Sequence, residues 1–203
     1  MGIYREHVLP RIINASCGIQ EIEPFRERAC SGLAGHVVEV GFGSGLNVPF
    51  YPAAVASIAA VEPSSLAWRM ATERVTSSHV AIVQSGLDGQ RLPFDDNSFD
   101  SALSTFTLCT IPDVGAALAE IRRVLKPGGT FHFLEHGLAP DADVQRWQQL
   151  INPVQKFLCG GCHVNRPIDV LVRDAGFDIA HLDRFYVEKA PKFSGAGYLG
   201  KAR

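Results

Sequence analysis

Two stretches of the sequence hold residue types at spacings that can do chemistry. The first is "VEVGFGSGLN", residues 38–47, in which Gly41, Gly43 and Gly45 end an apolar run. Glycines at such a point let a backbone turn sharply and approach a ligand closely. The pattern departs from the dinucleotide fingerprint G-x-G-x-x-G, because the third glycine comes one place early and Leu46 stands where it would fall. Acidic residues frame the loop. Glu39 lies two residues before Gly41, and Glu62 ends the next apolar run 21 residues after it. From there a carboxylate can accept hydrogen bonds from both hydroxyls of a ribose. No P-loop lysine follows the glycines, so the expected ligand is an adenosine without a pyrophosphate. A tight turn that binds nothing would also use glycines; Glu62 favours the ligand.

The second stretch, "KFLCGGCHVNRP" (156–167), holds Cys159, Cys162 and His163 in the order C-x-x-C-H. That order suits covalent haem attachment, a redox pair, or part of a zinc site. Haem attachment requires export, yet the N-terminus carries Arg5, Glu6 and Arg11 and no uninterrupted apolar segment of signal-peptide type. The two methionines, Met1 and Met70, are poorly placed as distal haem ligands. A zinc site would need a fourth ligand from elsewhere, and no metal is assigned. Small thiols packed at a helix–glycine–helix turn account for the same residues.

The elements that must position these residues follow from composition and periodicity. A chain of 203 residues, 46% hydrophobic and 20% charged, can bury one sizeable core, and no linker or repeat divides it, so residues 1–203 are expected to form a single domain. A net charge of -2 argues against general attraction to nucleic acid. No run approaches a membrane span, and an odd five cysteines suit a reducing cytoplasm rather than a disulfide framework. The expected partner is a small molecule; peripheral membrane contact and oligomeric state stay open.

Apolar runs at 36–42, 57–63, 79–86, 99–106 and 130–136 read as strands of a parallel sheet. Helical periodicity appears in "SSLAWRMATERV", with Ser64 or Ser65 as N-cap, and in "DVGAALAEIRRVLKPGG", ended by Pro127 and its glycines. The glycine loop is also expected to open a helix. Runs at 177–188 and 193–202 read as a closing antiparallel hairpin. The fold class is therefore α/β, a Rossmann-like, doubly wound, seven-stranded, mostly parallel sheet with a C-terminal antiparallel hairpin. Residues 1–35 are expected to form an N-terminal helical cap. Residues 140–175, interrupted by Pro153, Gly160, Gly161 and Pro167, are expected to form a helical insertion beside the carboxyl ends of the strands, where such sheets bind ligands.

With these motifs in hand, the sequence resembles the class I S-adenosylmethionine-dependent methyltransferases. "VEVGFGSG" is similar to their first motif, Glu62 to their ribose-binding acid, and "LPFDDNSFDSALSTFTL" with "ALAEIRRVLKPGGTFHFLEH" to their later motifs. The resemblance implies S-adenosyl-L-methionine as cofactor and S-adenosyl-L-homocysteine as product. It implies that Gly41, Phe42, Gly43 and Gly45 form the cofactor loop and that Glu39 organises the methionine end. It further implies that Glu62 and Pro63 meet the ribose, Leu87 and Asp88 the adenine, and Thr105 and Phe106 the methionine side. A finer resemblance, in "TLCTI", "LEHG", "RWQQLINP" and "GGCHVNR", is to methyltransferase-like proteins that S-methylate alkyl thiols. It implies a thiol acceptor, although the hydrophobic N-terminal anchor of those relatives has no counterpart here. Quinone C-methyltransferases and phospholipid N-methyltransferases share much of the motif set, and a non-catalytic cofactor-binding protein is a reading of another class.

Acceptor-side candidates each have a structural reading beside the functional one. His136, after the fifth strand, is the candidate proton acceptor, or a ring that hydrogen-bonds backbone. Cys109 and Cys162 line the acceptor site or pack in the core. Arg166 meets an acceptor anion or a loop, or forms a surface ion pair. Trp147 and the N-terminal residues Tyr4 and His7 form a lid or a plain hydrophobic clamp.

Overall fold

The computed structural model describes residues 2–203; Met1, where the expected cap begins, lies outside them. Its strands are β1 (Gly35–Val40), β2 (Val55–Val61), β3 (Ala81–Gly86), β4 (Phe99–Thr105), β5 (Leu125–His136), β6 (Ile179–Tyr186) and β7 (Ala196–Ala202). They form a seven-stranded sheet in the order β3-β2-β1-β4-β5-β7-β6. β1 to β5 pair in parallel, and β7 is antiparallel to both β5 and β6. The doubly wound sheet with its closing antiparallel hairpin is thus present.

Alternation along the strands builds two cores, because successive side chains leave a strand on opposite faces. Val38, Ala102, Phe131 and Phe133 point to one side, beneath α4 (Val114–Val124) and α6 (Ile168–Asp174). Val37, Leu103, Leu134 and Leu199 point to the other, where Ala29 and Cys30 of α2 (Glu23–Cys30) and Ala71 of α3 (Ser65–Ser77) pack. Side-chain caps start two helices: Ser64 accepts from the Ala67 N–H at 3.1 Å and Asp113 from the Ala116 N–H at 2.9 Å. Ahead of the sheet come a π-helical turn at Tyr4–Val8 and α1 (Leu9–Cys17), which lie over the carboxyl end of β1 and its neighbours, where α2 contributes Arg26.

Three local expectations are corrected. The glycine loop opens only a 3-10 turn, Val48–Phe50, since Pro49 and Pro52 cannot supply the N–H groups a longer helix needs. α4 stops at Val124, so Pro127 and its glycines lie within β5, where the register with β4 shifts between Phe99 and Ser101. Pro153 does not interrupt α5 (Ala142–Leu158); the helical bond it cannot donate is the one to the carbonyl of Gln149, an exposed residue. After α5 the turn at Gly160 and Gly161, with φ of +65° and +104°, leads to α6.

Strand order reverses at β1 and β4: the chain leaves β1 toward β2 on one side, and β4 lies on the other. Open α/β sheets bind ligands outside the carboxyl ends of strands at such a switch point.

Candidate functional site

Gly41, Gly43 and Gly45 all adopt the left-handed region, at φ of +79°, +59° and +75°. The first is there for packing: a Cβ on Gly41 would lie 1.8 Å from Thr107 Oγ1. The second is there for access, because a Cβ on Gly43 would meet nothing closer than a carbonyl oxygen at 3.9 Å. Its open side faces a cavity of about 470 Å³. The walls include Gly41 to Ser44, Glu62, Pro63, Leu87, Asp88, Thr105 and Phe106, together with Arg26 and residues of α1. Such a volume accommodates a nucleoside-sized ligand. Gly45 is not in the wall; it packs on Ala71 and Val48.

The two carboxylates that frame the loop play different parts. Glu62 lies in the wall, its oxygens accepting from the Gly43 and Ser64 N–H groups, each at 2.7 Å. Burial pushes its pKa up while the two N–H groups pull it back, and each oxygen keeps a lone pair for a ligand hydroxyl. Asp88 sits at the rim, accepting from the Gln90 N–H at 2.9 Å, beside a Leu87 that is 64% exposed. Glu39, by contrast, is wholly buried and does not line the cavity. Its carboxylate accepts from Tyr51 OH and from Asn47 Nδ2 at 2.8 Å, and burial pushes its pKa up to about 7.

What Glu39 orients is Asn47, and through it Arg26, a residue that sequence reasoning did not single out. Arg26 donates to Asn47 Oδ1 at 2.7 Å, to Thr105 Oγ1 at 3.3 Å and to the Cys17 carbonyl at 2.9 Å. Its guanidinium lies 5.4 Å from the Phe106 ring centroid and borders the cavity. Nothing in the local helical pattern around Arg26 signals that the charge turns inward. The N-terminal segment is also fastened to the glycine loop by Ser44 OH donating to Asn14 Oδ1 at 2.6 Å.

A second cavity of about 290 Å³ shares Leu9, Ile13, Cys17, Phe106 and Thr110 with the first. Its other walls are mostly apolar, with Ile12, Ile19, Ile22, Phe185 and Val187, and one part is formed by Cys109, His136 and Cys162. Phe106, between the cavities, holds φ of +51°, a conformation uncommon outside glycine and often found at functional sites. Buried Glu135 sets the loop that follows it, accepting from the Thr107 N–H at 3.0 Å, the Leu108 N–H at 3.1 Å and Ser104 OH at 2.9 Å. Cys162 Sγ lies 3.1 Å from His136 Nε2 and 3.8 Å from Cys109 Sγ. The contact with Cys109, together with burial, pushes the Cys162 thiol well above its ordinary range.

The structure therefore gathers Cys109, His136 and Cys162 at the second cavity, whose wall Cys159 also joins, while His163 of the C-x-x-C-H run is not in the wall. Three other acceptor-side residues are not brought in. Arg166 donates to the carbonyls of Leu108, Ile111 and Pro112, fastening that loop instead of facing a cavity. Trp147 is 62% exposed on the outer side of α5. Tyr4 OH donates to the Leu158 carbonyl at 2.6 Å, tying the N-terminal turn to the end of α5.

Residues 38–133 match the family described as a methyltransferase domain. The human thiol S-methyltransferase TMT1B is 30% identical over 165 residues, covering 77% of this chain and 66% of that one. The Cereibacter sphaeroides phosphatidylethanolamine N-methyltransferase is 30% identical over 129 residues, covering 62% and 63%. A geranyl diphosphate methyltransferase solved in complex with SAM superposes with a TM-score of 0.70 at 12% identity, covering 90% of this chain and 84% of that one. The chain spans less than two-thirds of the length of the curated relatives it matches. Among the described residues no helix is long and apolar enough to cross a membrane.

Proposed function

From the premise that the chain belongs to the class I S-adenosylmethionine-dependent methyltransferases, we propose that it methylates a small hydrophobic thiol on sulfur. The observation that carries this reading is the second cavity, an apolar chamber meeting the first beside Phe106 and bordered by Cys109, His136 and Cys162. S-adenosylmethionine, when bound, supplies a methyl carbon already activated by its sulfonium. The chain's task is then to position the reactants and exclude water.

In this reading Glu62 takes the ribose hydroxyls, while Leu87 and Asp88 meet the adenine. Arg26, held by Asn47 and Thr105, faces the methionine carboxylate, and Glu39 acts behind it as a positioning residue. A free thiol has a pKa near 8.5, so a few per cent is already thiolate at neutral pH. His136 Nε2 takes the proton of the remainder. The acceptor sulfur contributes the electron pair of the new S–C bond, and the products are a thioether and S-adenosylhomocysteine.

Phospholipid N-methylation is the second reading, supported by the lipid-amine relative. The second cavity disfavours it, because no carboxylate is among its described lining residues to offset the charge of a methylated ammonium. A homologous series of straight-chain alkyl thiols tests the placement of the acceptor. Each added methylene buried in the chamber is worth about 0.8 kcal/mol, so kcat/KM should rise about threefold to fourfold per carbon until the chamber is full. A flat series would remove the acceptor from this cavity.

A further inference from the structure

We propose that Cys109, His136 and Cys162 form a binding site for a thiophilic divalent metal ion of the zinc class, its fourth position open to the second cavity. Tetrahedral zinc with Zn–S of about 2.3 Å and Zn–N of about 2.0–2.1 Å needs donor atoms about 3.5–3.8 Å apart. The Sγ···Sγ distance of 3.8 Å lies within that range, and the Sγ···Nε2 distance of 3.1 Å is a few tenths of an ångström short of it. All three donor atoms lie within 4.8 Å of one another.

The ligand segments are held before any ion arrives. Glu135 receives the backbone N–H of Cys109 at 3.4 Å, and the His163 N–H donates to the Cys109 carbonyl at 2.8 Å, so the two cysteine segments are bonded to each other. Two thiolates and a neutral imidazole leave a divalent ion with no net charge, which suits a site where Cys109 and Cys162 are 1% and 7% exposed. Three protein ligands, two thiolates and an imidazole, with an open fourth position are the arrangement of catalytic rather than structural zinc. Loading releases the two cysteine protons to water. The acceptor's thiol, as fourth ligand, releases its own in the same way, and in that state His136 is a ligand and not the proton acceptor. Only the identity of this fourth ligand rests on the function proposed above; metal binding stands apart from it.

Cobalt(II) reports both occupancy and geometry. The metal-free full chain, kept reduced with a phosphine, should bind one equivalent, with sulfur-to-cobalt charge transfer and intense tetrahedral visible bands that Zn²⁺ abolishes. Cys109→Ser and Cys162→Ser should each lose the charge-transfer intensity of one thiolate, His136→Cys should gain it, and Cys159→Ser should leave the spectrum unchanged. An alkyl thiol added without cofactor should shift the visible bands. The absence of tetrahedral bands, or bands that persist unaltered in the Cys109 and Cys162 variants, overturns the site. Loss of the bands in Cys159→Ser would mean that the fourth position is closed, and overturns the open coordination. Methyl transfer to thiols by a chain that binds no cobalt would sink this inference alone.

Discussion

At the scale of single residues, the two glutamates that frame the glycine loop make separable predictions. Glu62 presents lone pairs to a ligand while its position is held by two backbone N–H groups. Hydrogen bonds to a charged group are worth about 1.5–3 kcal/mol each, so Glu62→Ala should weaken S-adenosylhomocysteine binding by at least tenfold in calorimetry. Unchanged affinity would remove the ribose role. Glu39 has no exposure to either cavity, and burial raises its pKa from 4.5 to about 7. The folded state then binds a proton that the unfolded state releases, so stability falls as pH rises from about 4.5 to about 7, by about 3 kcal/mol as an order of magnitude. Urea midpoints should show this slope in the wild type and lose it in Glu39→Gln. A variant with the same slope would assign it to another group. Arg26 was not legible at this scale, because an arginine among Glu23, Glu27 and Arg28 on a short helix reads as a solvated face. Its inward turn depends on Asn47 and Thr105, which are 21 and 79 residues away.

At the scale of elements, the glycine loop divides into a packing glycine and an access glycine. Gly41→Ala places its Cβ inside Thr107 at a positive φ, so it should cost several kcal/mol of stability as overpacking and backbone strain together. Gly43→Ala carries only the backbone penalty of about 1–2 kcal/mol, but its methyl projects into the cavity and should weaken cofactor binding more than it lowers the melting temperature. Thermal melts and calorimetry on the pair check this; equal effects on both measures would contradict the division. The sheet was readable in advance because alternation and apolar runs are local signals. The missing helix after the glycine loop was not, since the prolines that prevent it were outweighed by the expectation that such a loop opens a helix. The cluster of Cys109, His136 and Cys162 was hidden for a similar reason. His136 and Cys109 lie 26 and 53 residues from Cys162, whereas the conspicuous C-x-x-C-H run is contiguous, sends both thiols to the second cavity and leaves its imidazole, His163, out of the wall.

At the scale of the whole molecule, two cavities meet at the carboxyl ends of β1, β4 and β5 under a roof of N-terminal helix. α1 contributes Leu9, Ile13 and Cys17 to both, and the bond from Ser44 to Asn14 closes that roof over the glycine loop. A nucleoside-sized chamber with Glu62, Asp88 and Arg26 in its walls, beside an apolar one with a sulfur and imidazole wall, is suited to bringing an activated methyl group to a soft, hydrophobic nucleophile. The central claim is tested most directly by incubating the purified protein with isotopically labelled S-adenosylmethionine and equal concentrations of alkyl thiols, hydrogen sulfide, phenols, quinols and phosphatidylethanolamine, then identifying methylated products by mass spectrometry. Label should appear in thioethers from the alkyl thiols; label confined to quinol or lipid products would contradict the thiol reading.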